Sequence, residues 1–274
     1  MSVTANGALP CEGPTRDFYC RVLLALDAAT VPYLMGGAYA LQLYAGIQPH
    51  TKDLDLFIRR EHLDLLREAV SSAGCHCEVT FPHWLAKVFS DGDAFVDVIF
   101  SSGNGLCVVD DGWFEHARYG TVAGRSVRLC PPEEMIWSKA FVMERERFDG
   151  ADIAHFLRHW AGKLDWERLL ERFGPHGRVL LCHVVLFGYV YPDLRSTVPD
   201  WVLQELIARV QQEQNQQPSA DMTCFGTMLS REQYLPDIRS WGYSDARLAP
   251  LGTMSPIDVA QWTDAIEERK GKRD

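Results

Sequence analysis

Asp53 and Asp55 stand two residues apart in "TKDLDLF", and a third acid, Asp97, interrupts the apolar run "FVDVIF". In an extended strand, residues i and i+2 project to one face. The two acids of the first run therefore point together, with Leu54 and Leu56 facing the core. Paired carboxylates repel unless a cation lies between them. Hard oxygen donors with no adjacent His or Cys suit Mg²⁺ or Mn²⁺ better than zinc. Asp97 is flanked by Val96 and Val98, and a charge in so apolar a strand is costly unless it is paired or metal-bound. Two partners are open to it: a buried Arg or Lys, or a metal. If its strand lies beside the first, the three carboxylates can hold two divalent ions, the arrangement used for phosphoryl and nucleotidyl transfer.

Sixteen residues ahead of Asp53 lies a Gly-Gly pair, Gly36-Gly37, in "PYLMGGAYALQLYAG". Glycines between a strand and a helix let the backbone approach a ligand closely. The following helix presents free N–H groups and a partial positive charge to phosphate. Glycines, helix start and carboxylates thus read as the two halves of a site for a nucleoside triphosphate and its metal.

The elements around these residues follow from periodicity. Phe18, Val22, Leu23 and Leu26 have helical spacing. "PYLM" reads as a short strand, "AYALQLYAG" as a helix stopped by Gly46, "LDLFI" as a strand and "REHLDLLREAVSSAG" as an amphipathic helix closed by Gly74. "CEVTF", "LAKVF" and "FVDVIF" are further strands. "TVAGRSVRLC" is a hairpin turning at Ala123-Gly124. After Cys130 the pattern becomes helical: "CPPEEMIWSKAFVMERER" with proline and acids at its start, "DGADIAHFLRHWAG" with Asp149 as N-cap, "DWERLLERFG", the apolar 178–191 segment read as a buried helix, and "VPDWVLQELIARVQQEQ". The last fifty residues read as loop-rich. The expected fold is α+β: a mixed twisted sheet flanked by helices in a catalytic core over residues 1–130, then a helical C-terminal domain with a loop-rich tail over 131–274.

Glycine pair, Asp-x-Asp and third Asp, in that order, resemble the DNA polymerase beta-like nucleotidyltransferase superfamily over roughly residues 20–130. The helical continuation resembles its minimal bacterial branch, which includes antitoxin, toxin and aminoglycoside-modifying relatives. The resemblance implies that a hydroxyl attacks the α-phosphorus of an NTP in line and that pyrophosphate leaves. It also implies that Asp53, Asp55 and Asp97 ligate two Mg²⁺ or Mn²⁺ ions, that Asp97 sits nearer the attacking hydroxyl, and that Gly36 and Gly37 cradle phosphates. Lys139 occupies the position from which this branch sends a base toward the phosphates. Relatives often carry Arg-x-Thr or Arg-x-Ser ahead of the Asp-x-Asp. Here the run is "QPHTKDLD", in which Thr51 fits and the arginine is missing.

Other residues read more simply. Lys52 and Lys87, in "WLAKVF", read as solvated strand lysines, although Lys87 could reach a phosphate. His183 reads as a core histidine, His155 and His159 as core or surface histidines. Trp137, Trp160, Trp166 and Trp201 read as bundle core. The eight cysteines are scattered, and without a secretory signal they read as free thiols.

Composition narrows the partners. The 274-residue chain is 47% hydrophobic and carries a net charge of −10 from 27 basic and 37 acidic residues. That balance disfavours non-specific nucleic-acid binding, which needs a basic footprint. It favours a small, cationic acceptor, with a protein side chain or an RNA end as other acceptors. No signal peptide or membrane span is read, so the expected location is cytoplasmic. The alternative from a different class is a non-catalytic nucleotide- or partner-binding module that kept the fold.

Overall fold

The computed structural model describes residues 2–7, 13–47, 53–90, 92–122, 124–217 and 221–270. The chain divides into two compact units, Met1–Pro131 and Pro132–Asp274.

The first unit contains β1 (Ser2–Gly7), α1 (Pro14–Ala28), β2 (Leu34–Met35), α2 (Gly37–Ala45), β3 (Leu54–Phe57), α3 (Leu63–Ser72), β4 (His76–Phe81), β5 (Leu85–Phe89), β6 (Phe95–Ile99), α4 (Asp111–Glu115), β7 (Arg118–Val122) and β8 (Arg125–Leu129). The strands form one eight-stranded sheet in the order β1-β7-β8-β2-β3-β6-β5-β4. The pairs β1–β7, β8–β2 and β3–β6 are parallel, the others antiparallel. The sheet is mixed, as expected, with β1 as a strand that the alternation pattern does not signal.

Local chemistry sets the element ends. Pro14 opens α1, where its fixed φ costs nothing. Gly46 (φ 68°) closes α2 and Gly74 (φ 72°) follows α3, both in the left-handed region that glycine tolerates. Gly124 (φ 78°) turns the β7–β8 hairpin, while Ala123 lies outside the described residues.

The alternation in β3, β5 and β6 decides which face is chemical. Leu54, Leu56, Ala86, Val88, Val96 and Val98 are fully buried on one face. Asp55, Lys87, Phe89, Phe95 and Asp97 occupy the other face and stay partly exposed. At the far end of that second face, Phe57 stacks on the buried Trp113 of α4, with ring centroids 5.2 Å apart.

The second unit holds α5 (Pro132–Ala140), α6 (Gly150–Trp160), α7 (Trp166–Phe173), α8 (Gly177–Val190), α9 (Asp200–Gln214), a two-stranded pairing of β9 (Thr223–Cys224) with β10 (Ser244–Asp245), α10 (Leu235–Ser240) and α11 (Pro256–Lys270). Several expectations need correction here. The helix starting at Pro132 ends at Ala140 and does not run through "MERER". Met143 and Phe148 instead form an antiparallel bridge, and Glu144 N–H donates to the Arg147 carbonyl at 2.8 Å. Glu144 is also held by Arg231 at 2.9 Å. Good helix formers thus lose to a tight turn fixed by tertiary ion pairing. Asp149 precedes α6 without capping it through its side chain. The α8 segment is buried on one face only, because Val185 and Tyr189 are 60% and 83% exposed. Trp201 is exposed rather than core. The tail contains α11 and a buried Arg247–Asp245 pair at 2.6 Å, and so carries more structure than its loop-like composition signals. Among the described residues no helix is long and apolar enough to cross a membrane.

Two acids at the start of α5, Glu133 and Glu134, are fully buried. Arg168 bonds both, Arg172 lies 3.1 Å from Glu134, and Glu133 accepts the Asp165 backbone N–H at 2.9 Å. Burial nonetheless pushes the Glu134 carboxyl above the usual carboxylate range, against the pull of Arg168 and Arg172.

Candidate active site

Asp55 is fixed between the Gly-Gly turn and the central strands. Its carbonyl accepts the Gly36 N–H at 3.0 Å. Its carboxylate lies against Gly37: a Cβ on that residue would stand 1.6 Å from Oδ2. Gly37 also has φ 56°, so both space and backbone require glycine there. The carboxylate therefore sits beside the first turn of α2, where the helix dipole favours negative charge. Gly36 answers to packing instead. A Cβ there would meet the Phe57 ring at 2.3 Å and Cys130 Sγ at 3.1 Å.

Asp97 pairs in register with Asp55 across the parallel β3–β6 ladder. Neighbouring strands lie about 4.8 Å apart and registered residues share a face, so the two carboxylates are adjacent. Asp53 immediately precedes β3, two residues from Asp55, and is partly exposed. Thr51, with His50 and Lys52, lies outside the described residues.

Lys87 adds a group that composition alone does not reveal. It stands directly opposite Asp97 on the antiparallel β5–β6 hairpin, Nζ 2.5 Å from Oδ1. The same ammonium lies 3.6 Å from the centroid of the Phe95 ring. Glu78 registers with Lys87 from β4. A charged row thus crosses four strands: Asp55, Asp97, Lys87, Glu78. Beside it runs an aromatic row, in which Phe95 and Phe89 centroids are 6.2 Å apart and Phe89 and His76 centroids 5.3 Å apart. The signal for Lys87 was available in the hairpin. Pairing Phe89 with Phe95 across the turn puts residue 87 opposite 97.

Lys139 lies in the second unit. Its ammonium is 3.1 Å from Asp149 and 2.7 Å from Asp152. Arg147 grips the same Asp149 carboxylate through two bonds of 2.8 Å. Burial favours neutral forms of both partners, yet the ion pairs win. The Asp149 carboxyl is held below its usual range by Arg147 and Lys139, and Lys139 is raised by Asp149 and Asp152. The lysine read as facing phosphate therefore has ammonium donors committed to two carboxylates.

The residues on the partly exposed face fit a hard divalent ion. Their donors are carboxylate oxygens, and the missing Cβ of Gly37 admits the Asp55 carboxylate beside the start of α2. Among the described residues no three or more His, Cys, Asp or Glu side chains are gathered as a ready metal cage. That agrees with Asp97 being turned to the lysine.

Residues 21–186 match the family described as "Uncharacterised nucleotidyltransferase", and the chain belongs to that family. Its class is therefore nucleotidyltransferase, in agreement with the polymerase beta-like resemblance of its motifs. No curated protein matches the chain. Among solved structures, it is similar to the lincosamide antibiotic adenylyltransferase LnuA in a lincomycin-bound form, at 15% identity over 53% of this chain and 96% of that one, TM-score 0.37. It is similar to ANT(2")-Ia in complex with adenylyl-2"-tobramycin, at 19% identity over 64% and 97% of the two chains, TM-score 0.35. An antigenic nucleotidyltransferase-like protein from Paracoccidioides brasiliensis shares 16% identity over 66% and 90%, TM-score 0.41.

Proposed function

We propose that this nucleotidyltransferase moves an NMP group from an NTP to a hydroxyl of a small, cationic acceptor, in a metal-dependent reaction that releases pyrophosphate. The observation that carries this reading is the registered Asp55–Asp97 pair, with the Asp55 carboxylate set against Gly37 at the start of α2.

The roles follow from position. Asp53 and Asp55 hold the metal–nucleotide complex on the partly exposed face. The α2 N-terminus faces the phosphates and favours their charge. A bound divalent ion supplies Lewis acidity and screens the phosphates. Asp97, next in the row, orients the acceptor hydroxyl and receives its proton as the oxygen attacks the α-phosphorus and pyrophosphate departs. The acidic face, with Glu78 at its margin, and the net charge of −10 support a cationic acceptor over a polyanionic one.

Mass spectrometry of reactions with each NTP, Mg²⁺ and a panel of hydroxylated acceptors tests the proposal. The expected result is an acceptor heavier by one NMP, absent in EDTA and absent for Asp55→Asn. A product formed equally in EDTA would overturn the metal-dependent mechanism.

A further inference from the structure

We infer that Lys87 is a resident cation of the nucleotide site: its ammonium fills, at Asp97, the place of one of two divalent ions, so that the enzyme engages NTP with a single divalent ion. This inference rests on the function proposed above and goes beyond it, since polymerase beta-like carboxylate trios imply two ions.

The geometry carries it. Nζ of Lys87 lies 2.5 Å from Asp97 Oδ1, little more than the ~2.1 Å at which Mg²⁺ would take that oxygen. An ion placed there would meet the ammonium at near-contact, in a site where both side chains are only about one-fifth exposed (22% and 20%) and repulsion is weakly screened. The lysine is well held. Its strand is paired on both sides, by β4 and by β6. Its neighbours Ala86 and Val88 are fully buried. The Phe95 ring lies under its ammonium at 3.6 Å.

Lys87 thus acts through Asp97 as a positioning residue. It keeps that carboxylate aimed while Asp53 and Asp55 take the metal.

Counting ions tests this. Mn²⁺ would be titrated into the full-length protein with the α,β-methylene analogues of the four ribonucleoside triphosphates, and bound Mn²⁺ read by electron paramagnetic resonance. The expected count is one per chain for the wild type, one for Lys87→Arg and two for Lys87→Met, in which no ammonium stands at Asp97 Oδ1. Two ions in the wild type, or one in both wild type and Lys87→Met, would overturn the inference while leaving the nucleotide site intact. If Lys87→Met fails to fold, Lys87→Gln takes its place with the same expected count of two, and a count of one there would equally overturn the inference. No nucleotide-dependent Mn²⁺ in the wild type would instead remove the proposed function itself, and the inference with it.

Discussion

A methyl group on Gly37 would stand 1.6 Å from Oδ2 of Asp55, so the glycine and the carboxylate share one small space. The start of α2 and the acid that would hold the metal are thereby fixed to each other. Gly37→Ala must move one of them and must also hold φ 56°, at a cost of roughly 1–3 kcal/mol. Nucleotidyl transfer is expected to fall about 10²-fold, as for loss of a transition-state interaction. Gly36→Ala is expected to lower the melting temperature through its clash with Phe57. Parallel melting curves and transfer rates for the two variants separate the roles.

Asp97→Asn should do two things at once. Removing the charge abolishes the ion pair with Lys87, costing about 1.5–3 kcal/mol, and turnover should drop about 10²-fold or more. Adding Lys87→Met should restore much of the stability and none of the turnover. If the double variant regains activity, Asp97 is only a partner for the lysine.

Lys139→Met leaves Asp149 buried, with Arg147 as the remaining cation of the cluster. Breaking a buried ion pair costs about 3–5 kcal/mol when the charge left behind is uncompensated, and the two Arg147 bonds to Asp149 make the loss here smaller. Urea denaturation should show that loss. A stability unchanged from wild type would show that the cluster does not hold α5 to the start of α6.

The fold should weaken in mild acid. His183 is buried, and its Nε2–H donates to the Ala140 carbonyl at 2.9 Å. Burial lowers its pKa below the ordinary 6.5, and the Ala140 bond opposes this only in part. A depressed folded pKa means that the contribution is whole above pH 6.5 and is lost as pH falls through the folded value. His176, also lowered by burial, acts in the same direction. Melting temperatures between about pH 5 and 8 should decline on the acid side of the ordinary histidine range, where this charge change falls. His183→Gln keeps a donor for Ala140, removes this titration and should flatten the decline.

Much of the first unit was legible because its signals are local. Apolar alternation marks β3, β5 and β6, and Gly46, Gly74 and Gly124 mark turns through their positive φ. Asp97 was legible as a charge needing a cation, with a lysine and a metal both open. The choice between them depends on register, which neither strand carries alone and which emerges only when the two are paired through Phe89 and Phe95. Lys87 for that reason read as solvated. In the second unit, "MERER" carries helix propensity and folds as a turn closed by the local Met143–Phe148 bridge, because Arg231 and the Leu229 carbonyl hold Glu144 and Met143 from a distance. Trp201 read as core from its spacing, yet spacing does not say which stripe of α9 meets a neighbour.

The central claim is that Asp53 and Asp55, set against the start of α2, hold a metal–nucleotide complex. Calorimetric titration of an α,β-methylene NTP analogue in Mg²⁺ and in EDTA, on the wild type and on an Asp53→Asn, Asp55→Asn variant, tests it most directly. The expected result is binding by the wild type in Mg²⁺ alone, weakened at least about 10²-fold in the variant, the loss typical of a metal site deprived of its support. Equal affinity in EDTA, or a variant that binds as the wild type does, would contradict the account.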